Sequence, residues 1–388
     1  PWISAHTLDL VRCRNAARNA GDTARESDLS RAVKRSAKID RNVWLSGLLD
    51  NGDWGAVRKL RKPSVPKQGR LRNLNGELVE SELRAQTLGQ YLEQVQWSVH
   101  FANATPSGRV LHQSGLAIAD GVFTATELRR VLVNLRGGKA CGEDGIPPDF
   151  WKALVMDAAA LDAILHLCNE CLRQRMLPDE WRHASVVTIF KKGDTSLPSN
   201  YRPISLLAVG YKVLASLILR RLQEGGSEHR VSKSQDGFRP GRGTSDALFL
   251  IRRMIEATID DTSASLYVVL LDWSKAFDRI KHDCLIKALH RFGIRGAMLD
   301  LIGAIYQDRT FSVVDGKGPS PSFKQAAGIA QGCPLSPYLF IIVMTVALQD
   351  ARRMTHLEET QDLIVTPDVV YADDAMLLGS SAQAVQKY

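Results

Sequence analysis

Residues 266–272 read Leu-Tyr-Val-Val-Leu-Leu-Asp, an uninterrupted apolar and β-prone run that ends in a carboxylate. A run of this kind is typical of a strand that is buried on both faces. From Lys275 to Phe292 the apolar side chains then recur at helical spacing. The pattern therefore predicts a buried strand that ends at Asp272 and is followed by a helix.

A second acidic group stands in residues 369–378, which predict a strand, an acidic turn and another strand around Tyr-Ala-Asp-Asp. Two adjacent aspartates in a turn are a weak signal alone, because surface turns favour aspartate. Here apolar runs on both sides would bury uncompensated carboxylates unless cations meet them. If the two strands adjoin in one sheet, the carboxylates of Asp272 and Asp373 should approach within a few ångströms. Such oxygens suit the paired Mg²⁺ ions of phosphodiester synthesis.

The rest of the chain predicts a mixture of helices and strands. The predicted elements are two basic helices within Ile3 to Leu49 broken at Gly21 and Asp22, a capping box at Thr124 and Glu127, a helix from Phe150 to Leu172, strands at Ser185 to Phe190 and Tyr201 to Leu206 joined by a Lys-bearing turn, and an apolar helix from Ser336 to Ala351. This order of elements indicates the α/β class.

Charge is concentrated at the start of the chain. The whole sequence carries a net charge of +8, and residues 1–72 hold 16 Lys or Arg against 7 Asp or Glu. A basic helical segment suits a phosphate backbone, and a solvated charged face is the alternative. The longest apolar stretch, residues 338–348, is shorter than the ~20 residues of a membrane span, so no membrane partner is expected. The six cysteines show no paired framework, which indicates a reducing compartment.

Several further motifs make a family resemblance visible. The segments Leu-Asp-Trp-Ser-Lys-Ala-Phe-Asp (271–278), Gln-Gly-Cys-Pro-Leu-Ser-Pro (331–337) and Tyr-Ala-Asp-Asp (371–374) resemble, in order, three palm motifs of LINE-type (non-LTR) retrotransposon reverse transcriptases. The resemblance extends to Tyr-Arg-Pro-Ile-Ser-Leu-Leu (201–207), Gln-Asp-Gly-Phe-Arg-Pro-Gly-Arg-Gly-Thr (235–244) and Gly-Glu-Asp-Gly-Ile-Pro (142–147). It implies a right-hand polymerase fold with fingers, an antiparallel palm sheet and a helical N-terminal extension.

The resemblance also implies roles for single residues. Asp272, Asp373 and Asp374 correspond to the catalytic carboxylates, with two Mg²⁺ ions as cofactors and Mn²⁺ as an alternative. The implied nucleotide-binding residues are Lys191, Lys192, Arg202, Phe277, Gln331 and Gly332, and the implied template-binding residues are Asp144, Gly145, Phe238, Arg239 and Arg242. Phe277 would exclude a 2′-hydroxyl, which makes dNTP the expected substrate, whereas a core aromatic beside Leu285 is the alternative.

The domain organisation expected from these motifs has four parts. They are a basic helical linker at residues 1–62, a helical N-terminal extension at 63–175, fingers at 176–265, and a palm at 266–388 that ends soon after the acidic hairpin. The expected partners are an RNA template, a DNA primer or target, and dNTPs. A missing thumb downstream, an endonuclease upstream, and an intracellular location in the nucleus with a cytoplasmic ribonucleoprotein stage complete the expectation.

Other functions fit the sequence less well. A group II intron-like reverse transcriptase shares much of the pattern, and a decayed, non-catalytic RNA-binding fragment is the alternative from another class. The intact Asp272, Asp373 and Asp374 argue against decay, and Phe277 argues against an RNA-directed RNA polymerase. Cys141, Glu143 and Ala330 depart from residues common in the family, which affects the predicted template contacts more than the metal site.

Overall fold

The computed structural model describes residues 3–50, 69–99, 111–112, 114–260, 265–316, 318–354 and 368–387. The chain forms two compact units, Pro1–Gln68 and Gly69–Tyr388. The domain boundary predicted after residue 62 lies outside the described residues. The boundaries predicted after residues 175 and 265 stay predictions.

The first unit is a pair of helices, α1 (Ala5–Asn19) and α2 (Thr23–Asp50). Gly21 makes the turn between them at a φ of 74°, a conformation that glycine adopts without steric cost. The hydroxyls of Ser4 and Thr7 both donate to Asp40 of α2, at 2.8 and 2.6 Å. These bonds tie the start of α1 to the second helix, and the prediction of two helices broken at residues 21 and 22 is confirmed.

Most of the regular structure lies in the second unit. Its α-helices are α3 (Arg84–Tyr91), α4 (Ala125–Val133), α5 (Pro148–Ala153), α6 (Ala158–Gln174), α7 (Asp179–Arg182), α8 (Val209–Glu224), α9 (Thr244–Asp260), α10 (His282–Phe292), α11 (Gly296–Tyr306), α12 (Ser336–Met354) and α13 (Ala382–Lys387). A π-helical turn, Leu92–Gln96, extends α3, and the predicted capping box of Thr124 and Glu127 opens α4. Within the described ranges, no helix is long and apolar enough to cross a membrane.

The strands form two sheets. They are β1 (His183–Phe190), β2 (Tyr201–Leu206), β3 (Tyr267–Asp272), β4 (Thr310–Asp315), β5 (Gly318–Pro319), β6 (Phe323–Lys324), β7 (Asp368–Tyr371) and β8 (Asp374–Gly379). One sheet has the order β2-β1-β4-β5, with β6 also paired to β4. The other is antiparallel in the order β3-β8-β7. The α/β class is therefore confirmed.

The main hydrophobic core lies among the helices and β1 and β4. Helix α8 is buried on most sides, with Leu214 and Ile218 both at 0% exposure, and α12 contributes Leu339 and Ile342 at the same value. Full burial of one such side chain stabilises the fold by about 1.5–3 kcal/mol. This core gives the β1–β2 hairpin and the start of α12 a common rigid support.

Two predicted helices are interrupted. The helix expected from residue 150 to 172 is split, because Asp157 accepts a hydrogen bond from Ala160 N–H and starts α6 as a new helix. The helix expected from Lys275 begins only at His282. A 3₁₀ turn, Ala276–Arg279, precedes it. The carbonyls of Phe277 and Ile280 there accept from Ile329 and Gly328 instead of from a helical turn.

The prediction that β3 is buried on both faces is wrong. Tyr267, Val269 and Leu270 are 44%, 41% and 73% exposed. The strand stands at the end of its sheet, and an apolar groove of about 600 Å³ runs beside it, with Leu348 of α12 among its lining residues. The apolar run correctly indicated a strand, but composition alone does not show what covers it.

Candidate active site

A cleft of about 570 Å³ brings most of the sequence-predicted site residues together. The end of β3, the turn between β7 and β8, the β1–β2 hairpin and the loop before α12 all contribute to it. The predicted site residues that line it are Asp272, Asp373, Lys191, Lys192, Arg202, Phe277, Gln331 and Phe238. Acidic, cationic and aromatic side chains from distant parts of the sequence therefore share one surface.

The acidic residues lie where two neighbouring strands end. Asp272 is the last residue of β3, and its partner across the antiparallel ladder is Asp374, the first residue of β8. Residues directly opposite each other in such a pair have side chains on the same face. Asp373 occupies the turn next to them and lines the cleft with Asp272. The predicted adjacency of the two strands is confirmed. Asp374 instead lines a neighbouring apolar depression of about 390 Å³, which Asp272 also borders.

These carboxylates suit divalent cations. Within the part of the chain that the structure describes, none of Asp272, Asp373 and Asp374 forms an ion pair or a side-chain hydrogen bond. Among all the described residues, no group of three or more carboxylate, imidazole or thiolate side chains is arranged to hold a metal ion by itself. Mg²⁺ is commonly held by one or two carboxylates, with water and substrate phosphates completing its shell. The donor set therefore fits ions that arrive with a triphosphate better than a permanently closed site.

Three cations of the β1–β2 hairpin line the same cleft as Asp272 and Asp373. Lys191 and Lys192 are exposed and begin the connecting turn of the hairpin, which is closed by Lys191 N–H donating to Asn200 O at 2.8 Å. Arg202 is exposed on β2, opposite Ile189 of β1. Charged donors in such a position can bind triphosphate oxygens, Arg in bidentate fashion and Lys as a point charge.

Phe277 is half-buried and lines the cleft. One ring face stacks on Phe340 at 4.2 Å between centroids, and Phe238 meets the ring edge-on at 6.0 Å. Because Phe277 lies in the 3₁₀ turn before α10, it does not share a helical face with Leu285. Its ring is fixed by a buried aromatic on one side, which leaves it positioned at the cleft wall.

Gln331 and Gly332 are held against β2. Ser205 N–H donates to Gln331 O at 2.8 Å. Gly332 has a φ of 124°, and a Cβ built on it would lie 2.4 Å from Ser205 O. Glycine is therefore required here both for its backbone conformation and for the close approach of the two chains. Gly332 does not line the cleft, whereas the Gln331 side chain does.

Asp278 is a buried acceptor that the sequence analysis did not single out. At 4% exposure it accepts from Gln96 Nε2 at 3.0 Å, Trp97 Nε1 at 2.8 Å and, more weakly, Gln331 Nε2 at 3.3 Å. Burial raises the pKa of this carboxyl above its ordinary value, and the hydrogen bonds oppose that rise. Lys275 donates to Gln96 Oε1 at 2.9 Å. Residues just after α3 are thus linked to the cleft wall.

The predicted template-binding residues are less concentrated. Asp144 and Gly145 are exposed in a turn that does not line the cleft. The Arg239 guanidinium donates to Glu228 and to the carbonyls of Ser232 and Gln235, and its side chain is only 10% exposed. Arg239 therefore stabilises its own loop through these bonds. A contact between Arg239 and the template stays a prediction.

Arg242 is more open than Arg239. It donates to Asp236 at 2.8 Å with 39% of its side chain exposed. Phe238, at 46% exposure, is the member of this group that lines the cleft. A second residue that sequence reasoning missed is Gln235, whose amide bonds to the backbone of Ala372. Its place in a quoted motif was the only sequence signal for it.

The chain is similar to proteins of known families. Residues 189–388 match the family model described as "Reverse transcriptase (RNA-dependent DNA polymerase)". The RNA-directed DNA polymerase from mobile element jockey of Drosophila funebris is 28% identical over 408 residues, which cover 100% of this chain and 43% of the relative. A probable RNA-directed DNA polymerase from transposon BS of Drosophila melanogaster is 28% identical over 403 residues, covering 100% and 42%. The uncharacterized 149 kDa protein of transposon TX1 of Xenopus laevis is 30% identical over 262 residues, covering 66% and 19%. The chain therefore spans less than half the length of these relatives.

Proposed function

The chain belongs to the reverse transcriptase family, and we propose that it carries the fingers and palm of an RNA-directed DNA polymerase of a LINE-type (non-LTR) retrotransposon. The β1–β2 hairpin and the loop at residues 235–244 are assigned to the fingers. The β3-β8-β7 sheet with α12 is assigned to the palm. The substrates in this proposal are dNTPs, an RNA template and a DNA primer or target.

One observation carries the proposal. Asp272 and Asp373, which have no protein cation as partner within the described residues, line the same cleft as Lys191, Lys192 and Arg202. A cleft lined by both carboxylates and cations matches a nucleoside triphosphate that arrives with divalent ions. A structural cluster would instead pair these charges with each other.

The residues of the cleft then divide the work of nucleotidyl transfer. Asp272 and Asp373 hold divalent ions, with Asp374 as a supporting carboxylate. Bound ions of this kind supply Lewis-acid activation of a primer hydroxyl and neutralise the leaving pyrophosphate. Arg202 and the two lysines orient the triphosphate. Mg²⁺ is the proposed ion, with Mn²⁺ as an alternative.

The walls of the cleft select the nucleotide. Phe277, backed by Phe340, is proposed to meet the sugar and to exclude a 2′-hydroxyl. Gln331, with Gly332 allowing close approach of the backbone to β2, is proposed to contact the base and template. Phe238, Arg242 and the Asp144–Gly145 turn are proposed to contact the template strand, where stacking and backbone charge contribute most of the affinity.

The family resemblance also suggests partners and a location. In the intact protein we propose an endonuclease upstream of these domains and a thumb downstream that holds the primer–template duplex. Action on a chromosomal target implies the nucleus, and assembly with RNA implies a cytoplasmic ribonucleoprotein stage. Sequencing of the flanking coding region and localisation of the tagged protein test these two points.

The function is tested by primer extension on an RNA template with dNTPs and Mg²⁺, using the complete encoded protein. Asp272→Asn and Asp373→Asn each remove one charge at nearly constant shape. Both should abolish extension while leaving RNA affinity and melting temperature largely unchanged. Asp162→Asn, on the exposed side of α6, is the matched control and should extend normally.

Other outcomes have distinct meanings. Extension at the wild-type rate in both cleft variants would show that these carboxylates are not catalytic. Unfolding of the variants would assign them a structural role. Tight RNA binding without extension in the wild type would favour a non-catalytic RNA-binding protein.

A further inference from the structure

Gln235 is almost fully buried and bonds to the residue that precedes Asp373. Its side chain is 1% exposed. The amide oxygen accepts from Ala372 N–H at 2.9 Å and from Gly237 N–H at 2.8 Å. The amide nitrogen donates to Ala372 O at 3.3 Å. Both backbone polar groups of Ala372 are therefore satisfied by one side chain from 137 residues away in the sequence.

Ala372 needs such support because of its backbone conformation. It lies between β7, which ends at Tyr371, and β8, which begins at Asp374, so the connection has two residues. Two-residue hairpin connections require a positive φ at the first position and usually place Gly, Asn or Asp there. Ala372 adopts a φ of 59°, although its Cβ makes this region unfavourable. A conformation of this kind persists only where the surroundings impose it.

The surroundings of the turn are arranged around Gln235. On either side of it, Val370 N–H donates to Ser234 O at 2.9 Å and Asp236 N–H donates to Val370 O at 2.8 Å. A Cβ at Gly237 would lie 2.3 Å from Ala372 N, so only glycine permits the loop to approach this closely. The loop and the acidic hairpin therefore form one fixed unit.

From these contacts we propose that Gln235 is a positioning residue for nucleotidyl transfer, holding the strained Ala372 turn so that Asp373 faces the cleft. The inference rests on the proposed function. It differs from the family assignment of the same loop to template contact, because Gln235 is buried and acts through the backbone of the acidic turn. It also explains how a turn without glycine keeps a positive φ.

The test compares Gln235→Leu with the wild-type complete protein in primer extension. Misplacing a reacting group by about 1 Å can reduce the rate on the order of 100-fold, so kcat should fall by roughly 10- to 100-fold. The KM for dNTP should change little, because the triphosphate cations lie on another hairpin. Gln235→Met keeps the length of the side chain while removing both hydrogen bonds to Ala372 and should give a similar fall, which preserves the test if the Leu variant folds poorly.

Rescue and a matched control separate positioning from simple stability. Ala372→Gly removes the cost of the positive φ, so adding it to Gln235→Leu should restore much of the lost kcat. Asn169 makes the same pair of bonds to N–H and C=O of Phe123, away from the cleft. Asn169→Leu should lower the melting temperature and leave kcat unchanged. A Gln235→Leu variant that behaves like Asn169→Leu, or that glycine does not rescue, overturns the proposal.

Hydrogen exchange gives a readout that does not depend on activity. In Gln235→Leu, amides of residues 370–374 should exchange at least about tenfold faster than in the wild type, and Ala372→Gly should reverse part of this change. Unchanged exchange in this hairpin overturns the proposal even if the wild-type protein proves inactive. An inactive wild type with the expected exchange would instead count against the proposed function alone.

Discussion

Replacing Gly332 by alanine should disturb the junction between β2 and the loop before α12. The new Cβ would meet Ser205 O at 2.4 Å, and the φ of 124° is one that L-residues rarely adopt. Backbone strain of this kind costs about 1–3 kcal/mol, and overpacking against a carbonyl adds about 1–3 kcal/mol. The hydrogen bond from Ser205 N–H to Gln331 O must lengthen or break.

We expect Gly332→Ala to lose about 3 kcal/mol of stability and about 4–5 °C in melting temperature. Arg202 shares β2 with Ser205, so the KM for dNTP should also rise by roughly tenfold. Thermal unfolding and steady-state primer extension measure the two effects. Gly121→Ala is the control, because nothing lies within 4 Å of its Cβ position. Wild-type stability and KM in Gly332→Ala would refute the close-approach argument.

Three further predictions concern the sugar, the acid range and the N-terminal segment. Phe277→Val should admit ribonucleotides more readily while DNA synthesis survives; unchanged discrimination in competition assays would make Phe277 a core residue only. Hydrogen bonds from Arg221 lower the pKa of Glu127 from 4.5 to about 2, so this pair stabilises the fold above pH 4.5 and the stabilisation is lost as pH falls towards 2. Glu127→Gln should remove that part of the acid dependence of melting temperature, and an unchanged acid profile would contradict the assignment. Deleting residues 1–68, the first unit, should weaken RNA binding and flatten its dependence on salt, because fewer counterions are released; equal slopes would support a solvated basic face.

The sequence predicted the chemically active residues of the site better than the residues that hold them in position. Asp272 and Asp373 could be expected to be neighbours, because each ends or interrupts an apolar β run and uncompensated carboxylates require a cation. The hydrogen bonds from Gln235 to the backbone of Ala372 could not be predicted, since a side-chain amide that bonds to a distant backbone leaves no periodic pattern in the sequence. The role of Asp278 as a buried acceptor was missed for a similar reason, because its donors Gln96 and Trp97 lie far away in the chain.

Predicted helix boundaries were wrong where hydrogen bonds to distant residues replaced the local bonds of a helical turn. The helical spacing after Lys275 was real, yet the carbonyls of Phe277 and Ile280 bond to residues 328 and 329 instead of to a following turn. The capping box at Thr124 succeeded because both of its bonds are local. The prediction that β3 is buried was wrong because an apolar sequence does not show whether its strand lies in the middle or at the end of a sheet.

The exposed β3 strand affects how this protein behaves in a test tube. Among the described strands it stands at the end of its sheet, and Leu270 leaves 73% of its surface in water. An open apolar edge is a template for pairing with the same edge of another molecule. Concentrated samples should therefore self-associate, and light scattering should rise with protein concentration even at high salt, where electrostatic contacts are screened. A lysine at position 267, at the end of β3 away from Asp272, would place a charge on that strand, so Tyr267→Lys is a practical starting point for keeping the protein dispersed during the assays above.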